Sequence, residues 1–377
     1  MKYKVVALMI VISCIYDGLT QTNTTHTIQH NGLTREYKVY VPAIYNANNA
    51  VPLVFNLHGY TSNFTEQEAY GNFRPIADTA NFIIVHPNGT LDGSGNRYWN
   101  AFGFGADDVG FISLLIDHLS GLYTIDQNRI YSTGMSNGGF MSVELACALS
   151  NRIAAVASVT GSMGVNRIAV CNPSKPTPVM QINGTSDATV TYNGTVQYAS
   201  IESVVDFWVD KNNCNPTPTV INVPNTNTTD GSTVEHYIYT NGEAGSSVEL
   251  YKVIGGGHTW PGAPIDIPFS GNTNRDINAS KEIWRFFSQY RLNELVAVND
   301  ITGLKKATIY PNPSPGQFTI EYEGKIDEIK VFDMTGRSIF IDFESVVNHS
   351  FTIRETGVYF LQISSEGNYI NSKIVVE

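Results

Sequence analysis

Charge is scarce in this 377-residue chain: Asp, Glu, Lys and Arg together make up 15%, against roughly a quarter in ordinary globular proteins. Basic residues are the scarcer kind, 23 against 34 acidic, and the formal net charge is -11. Such a chain does not attract a phosphate backbone or an anionic bilayer, so no nucleic-acid or anionic-membrane partner is expected. Neutral substrates fit better. The apolar run from Val5 to Ile12 is too short to cross a bilayer, and no integral membrane span is expected. Behind Lys2 and Lys4, and ahead of small and polar residues, the run reads as the core of a secretory signal peptide over residues 1–20, cleaved near Thr20. Val11-Ile12-Ser13-Cys14 also has the layout of a lipobox, which would instead leave a lipid on Cys14. Cysteine is sparse, four in all. With the leader removed, Cys147, Cys171 and Cys214 remain, an odd number that allows at most one internal disulfide in an oxidising compartment. Sequence alone does not choose the pair, and none of the three has zinc-site spacing.

What is present is ample apolar material, 42% of residues, enough for one large domain and a smaller one. Short β-branched runs at 36–42, 51–59, 82–87, 129–134, 153–161, 178–184 and 246–256 alternate with helix-length amphipathic runs at 65–80, 107–121, 137–149, 198–211 and 277–290. That alternation predicts an α/β domain around a mostly parallel sheet. After a polar stretch at 293–306 the pattern changes to short alternating strands without a long helix. This predicts a small all-β sandwich over 307–377, with a hairpin turn at Met334 to Arg337.

The stretch "RIYSTGMSNGGFMSVELA" (129–146) places a G-x-S-x-G between a strand-like and a helix-like run. The motif is weak by itself, but the context is that of a nucleophile turn. Gly134 and Gly138 clear space around Ser136, and the helix start favours negative charge there. A serine needs a base, and the base needs an orienting acid, in the chain order Ser, acid, His. His258, in "VIGGGHTWPG", follows a strand in a glycine-rich loop. His236 lies inside an alternating strand and His349 in the tail, so His258 is the expected base. Asp187, in "INGTSDATVTYNG", follows a strand and is the expected acid. Asp206 and Asp210 fall on a helix, and Asp230 in a turn. The expected oxyanion donors are the N–H groups of Asn137 and, in "NLHGYTSN", of Tyr60, with Thr61 behind it. His58 is given no proton-transfer role. Asp107 and Asp108 read as a helix N-terminal pair and not as metal ligands, and no metal or cofactor is expected. Trp260 and Trp99 are candidates for stacking on substrate.

The segments "LHGY" (57–60), "YWN" (98–100), "DDVGFISLLIDHL" (107–119), "IDQNRIYSTGMSNGGFMS" (125–142), "NGTSDATVTYNG" (183–194) and "GGGHTWPG" (255–262) occur in one order. In these the chain resembles the secreted feruloyl esterase and polyhydroxybutyrate depolymerase group, related to carbohydrate esterase family 1. The resemblance implies an α/β-hydrolase fold, a triad of Ser136, Asp187 and His258, and hydrolysis of feruloyl or acetyl esters on a plant polysaccharide such as xylan. A short-chain polyester depolymerase is the alternative, and a polysaccharide-binding or adhesion protein on the same fold is the alternative of another class. "YPNPSPGQFTIE" (310–321), "VFDMTGR" (331–337), "GVYFLQI" (357–363) and "KIVV" (373–376) resemble the C-terminal sorting domain of type IX secretion. That implies the type IX machinery as a partner and an extracellular or cell-surface location; a carbohydrate-binding module is the competing reading. The expected domains are a leader at 1–20, an esterase domain at 21–292, a linker at 293–306 and a sorting domain at 307–377.

Overall fold

A computed structural model describes residues 21–294 and 307–377, apart from 323–324, 334–337, 340–341, 346–349 and 366–367. The expected leader, most of the expected linker, the turn at 334–337 and His349 lie outside the described residues. Two compact units divide after residue 297.

The first unit runs in chain order β1 (Thr22–His30), β2 (Leu33–Val41), β3 (Val51–Leu57), α1 (Phe64–Tyr70), α2 (Arg74–Ala80), β4 (Ile83–Pro87), β5 (Thr90–Leu91), β6 (Arg97–Tyr98) and α3 (Asp108–Leu122). It continues through β7 (Ile125–Met135), α4 (Asn137–Ala148), β8 (Ala155–Val159), α5 (Val165–Ile168), β9 (Val179–Gly184), α6 (Ile201–Lys211), β10 (Thr219–Asn222), β11 (Thr233–Tyr239), β12 (Val248–Ile254) and α7 (Ala279–Phe287). Its main sheet has ten strands in the order β1-β2-β4-β3-β7-β8-β9-β12-β11-β10. The centre, from β4 to β12, is parallel, and both margins are antiparallel. Strands such as β3, β4, β8 and β9 are buried on both faces, so they read as unbroken apolar runs instead of alternating ones. A core lies on each side of the sheet. One joins α3, α4 and α6 to it through residues such as Phe111, Met141 and Trp208; the other joins α2 and α7 through Ala77, Ile283 and Phe287.

The single helix expected over 65–80 is two. Gly71 caps α1 and Pro75 stands in the first turn of α2, where its missing N–H costs nothing. The strand β1, which the expected pattern omits, is an almost wholly exposed edge strand, "TNTTHTIQH", tied to β2 by backbone pairing. It has no apolar face to signal it.

The second unit contains β13 (Thr308–Tyr310), β14 (Gln317–Glu321), β15 (Glu328–Asp333), β16 (Ser338–Ile339), β17 (Asp342–Ser345), β18 (Ser350–Thr352), β19 (Gly357–Ser365) and β20 (Asn368–Val376). They form two four-stranded sheets, β13-β14-β18-β17 and β16-β15-β19-β20. Phe318 and Phe351 of one sheet share a core with Val331, Leu361 and Ile374 of the other. No described helix is long and apolar enough to cross a membrane.

Candidate active site

Strand β7 ends at Met135 and α4 begins at Asn137, so Ser136 carries the whole reversal of direction. Its φ of 54° and ψ of -121° lie where non-glycine residues are rarely found, a conformation that persists only when its surroundings enforce it. The enforcement is visible. The Ser136 N–H donates to the Val159 carbonyl (2.8 Å), and its own carbonyl accepts from Phe140 N–H (2.9 Å). The turn also packs against β3 without room for side chains: a Cβ on Gly138 would stand 2.3 Å from the Leu57 carbonyl oxygen, and one on Gly134 2.6 Å from the same atom. Both glycines are therefore steric requirements.

The loop after β9 carries Asp187 and the loop after β12 carries His258. Their side chains meet at 2.7 Å, Nδ1 to Oδ2. A carboxylate only accepts, so Nδ1 holds the ring proton and Nε2 keeps its lone pair. The other carboxylate oxygen of Asp187 accepts from the N–H groups of Thr189 and Val190, each at 2.8 Å. That short turn fixes the acid in place, and its side chain is 1% exposed. The competing residues stand elsewhere. Asp206 and Asp210 are exposed on α6, Asp230 accepts from Ser232 and Arg275 N–H groups, and His236 is buried on β11 against Glu249 at 2.7 Å.

The loop after β3 lies directly against the Ser136 turn: a Cβ on Gly59 would be 3.4 Å from the Ser136 Cβ. Thr61, the second candidate donor of this loop, already gives its N–H to the Arg97 carbonyl at 2.9 Å, which leaves Tyr60 as the candidate. Beneath the loop His58 is fully buried. Its Nε2 accepts from Gly89 N–H (2.9 Å), so Nδ1 carries the proton and donates to the Gly59 carbonyl (2.7 Å). Burial pushes this imidazole down to about 4, which keeps it a neutral post for the loop. The Asn137 side chain makes a two-way pair with the Trp99 backbone, accepting from its N–H at 2.6 Å and donating to its carbonyl at 3.0 Å.

Two cavities meet at Ser136. The first, about 780 Å³, is lined by Ser136 and Asn137 together with Phe102, Phe104, Phe140 and Tyr198. The second, about 620 Å³, is bordered by Ser136, Tyr60, His258, Tyr70, Ile265 and Ile267.

Both tryptophan expectations need correction. Trp260 is 1% exposed and sits in the core, edge-on to Phe73, its indole N–H donating to Ser280 (3.2 Å). It has no face left for a ligand. Trp99 is equally buried, tilted against His58, and donates to the His58 carbonyl at 3.0 Å. It borders a hollow of about 300 Å³ beside Tyr60 and Asn137, and its indole packs behind the loop that follows β3. Asp107 caps α3 through Gly110 N–H at 2.8 Å. Asp108 is buried against Arg35 (2.6 Å) and accepts from Asn100 N–H (2.7 Å). Among the described residues no group of three His, Cys, Asp or Glu gathers as a metal site.

Several structural partners have no local signature in the sequence. Arg35 and Asp108, or Glu144 and Arg167, come from distant segments that only the fold brings together. The pairing left open among the cysteines is Cys147 with Cys171, and Cys214 is free and buried.

A mostly parallel sheet with a strained serine between strand and helix, followed by an acid and a histidine on later loops, is the α/β-hydrolase fold. Residues 35–208 match the esterase PHB depolymerase family and residues 308–377 match the secretion system C-terminal sorting domain. The sorting domain directs it to the cell exterior. Among curated proteins it is 26% identical over 291 residues to a bifunctional acetylxylan esterase/xylanase of Neocallimastix patriciarum, covering 76% of this chain and 38% of that protein. It is 27% identical to feruloyl esterase B of Piromyces equi, covering 59% and 42%, and 30% identical to feruloyl esterase D of Neurospora crassa, covering 52% and 65%. The chain thus spans less than half the length of the first and second of these relatives. Among solved structures, the acetyl xylan esterase from Aspergillus awamori superposes with a TM-score of 0.50 at 14% identity, covering 70% of this chain and 99% of that one, a likeness of fold.

Proposed function

We propose that this chain is an exported serine hydrolase of carboxylic esters, acting on feruloyl or acetyl esters of a plant polysaccharide such as xylan, by way of Ser136, His258 and Asp187. The domain reading that goes with it is a leader at 1–20, an esterase domain at 21–292, a linker at 293–306 and a sorting domain at 307–377 handed to the type IX machinery. The observation that carries it is the 2.7 Å bond from His258 Nδ1 to a buried Asp187. With that proton held, Nε2 is left basic on the rim of a cavity that Ser136 also lines.

In this reading His258 Nε2 takes the hydroxyl proton as Ser136 Oγ attacks the ester carbonyl. The N–H groups of Tyr60 and Asn137 receive the oxyanion. His258 then returns the proton to the alkoxide as the C–O bond breaks, and the alcohol leaves. Water, deprotonated by the same imidazole, attacks the acyl-enzyme and frees the acid and Ser136. The chain's residues perform each proton transfer without a cofactor.

The departing alcohol must lie on the His258 side, because that ring protonates it. This places the alcohol in the 620 Å³ cavity and the acyl group in the 780 Å³ groove walled by Phe102, Phe104, Phe140 and Tyr198. An apolar aromatic groove of that size favours a ring-bearing acyl group over acetate. Parallel measurement of ferulate, acetate and 3-hydroxybutyrate release tests the order, and preference for the last would promote the polyester reading. The activity itself is tested with p-nitrophenyl acetate. Equal rates for wild type and Ser136→Ala would overturn the esterase and leave a polysaccharide-binding or adhesive protein on a hydrolase fold.

A further inference from the structure

We propose that the Arg167–Glu144 ion pair and the Cys147–Cys171 disulfide act together as a brace that sets which acyl groups the site accepts. The proposal rests on the assignment of the larger groove to the acyl group.

Beside Phe140 of α4 and Val190, three strips of chain line that groove: Phe102 with Phe104, Val165 with Asn166, and Val196 to Tyr198. The middle strip ties the other two together. Asn166 Nδ2 donates to the Phe102 carbonyl at 2.9 Å, and Val165 N–H donates to the Gln197 carbonyl at 3.0 Å. Where residues 165–166 sit therefore sets how far the other two strips stand from α4.

Just behind Asn166, Arg167 grips Glu144 of α4 with Nε on one carboxylate oxygen (2.9 Å) and a terminal nitrogen on the other. Glu144 is buried, 6% exposed, so the fork is aimed at a fixed target. Four residues beyond Arg167, Cys171 is bonded to Cys147, three residues beyond Glu144 on the same helix. One attachment would hold the strip yet let it pivot. Two attachments to one rigid helix fix its rotation as well. That helix begins at the turn of Ser136, so the groove wall is referenced to the nucleophile itself. A guanidinium suits the task because its planar fork specifies an orientation that an ammonium does not.

Arg167, Glu144 and the two cysteines are positioning residues, since none of them lines the groove. The test compares p-nitrophenyl acetate with p-nitrophenyl ferulate for wild type, Arg167→Lys and a Cys147→Ser/Cys171→Ser double variant. Each variant is expected to keep kcat/KM for the acetate within about twofold. For the ferulate, kcat/KM should fall on the order of tenfold, carried by KM. Arg167→Lys keeps the charge and the disulfide, so it reports on orientation even where the double variant folds poorly. A parallel fall on both esters, or unchanged selectivity with a lowered Tm, would overturn the brace. Absence of hydrolysis of either ester by wild type would instead overturn the esterase reading beneath it.

Discussion

Replacing Asn137 by alanine leaves the proposed nucleophile, base and acid in place, and keeps the backbone N–H proposed to receive the oxyanion. What it removes is the reciprocal amide pair with Trp99, one bond of 2.6 Å and one of 3.0 Å. Trp99 is 1% exposed, so its freed N–H and carbonyl have little water to turn to. Leaving such groups unpaired costs about 1–3 kcal/mol each, so the expected loss of stability for the two is about 2–6 kcal/mol. The loss of rate has a different source. Deleting an oxyanion donor outright costs about 3 kcal/mol; here the donor persists but its aim is released, which we set at about 1–2 kcal/mol, or roughly 5–30-fold in kcat. KM should scarcely move, because the charge on the oxygen develops only in the transition state. Steady-state hydrolysis of p-nitrophenyl acetate, read beside a thermal melt, separates the two effects. A kcat within twofold of wild type with a lowered Tm would refute the reasoning and make the amide pair a fold element only.

Asp187→Asn should lower kcat by about 10³–10⁴-fold with little change in KM, because an amide no longer holds the imidazole with its proton on Nδ1; a loss under tenfold would remove Asp187 from its role. Gly138→Ala should abolish soluble, folded protein, since its Cβ would fall 2.3 Å from the Leu57 oxygen and the backbone there has nowhere to go; a wild-type melt would show the turn to be loose. Acid should destabilise the first unit. Burial lowers His58 and His86 from 6.5 to about 4 in the folded state, so the unfolded chain binds protons first as pH falls. Stability is whole above about 6.5 and declines toward 4, by about 2 kcal/mol per histidine at pH 4.5. Melts from pH 7 to 4.5 should show a smaller drop for His86→Met than for wild type, and equal drops would reject this origin.

Much of this organisation is legible in the sequence, and its limits are physical. The parallel centre of the sheet writes itself as apolar runs because both faces are covered, and the Ser136 turn is legible because its glycines answer local steric demands. The Asp187 turn is local too, its carboxylate capping residues two and three positions onward. The β1 edge is silent because its pairing is all backbone. The tryptophans misled because an aromatic near a histidine looks the same in sequence whether it faces a cleft or, as Trp260 does, a core with Phe73 and Ser280. The choice of Cys171 over Cys214 as partner for Cys147 depends on which loop the fold returns to α4, and no spacing encodes that.

Cys214 carries its own consequence. Its thiol is buried, and burial raises it to about 11, so at pH 8 only about one molecule in a thousand holds the thiolate that attacks a disulfide. The folded protein is therefore expected to keep the Cys147–Cys171 pairing without exchange through Cys214. Burial withdraws this sulfur from exchange chemistry, both with its neighbours in the chain and with a second molecule.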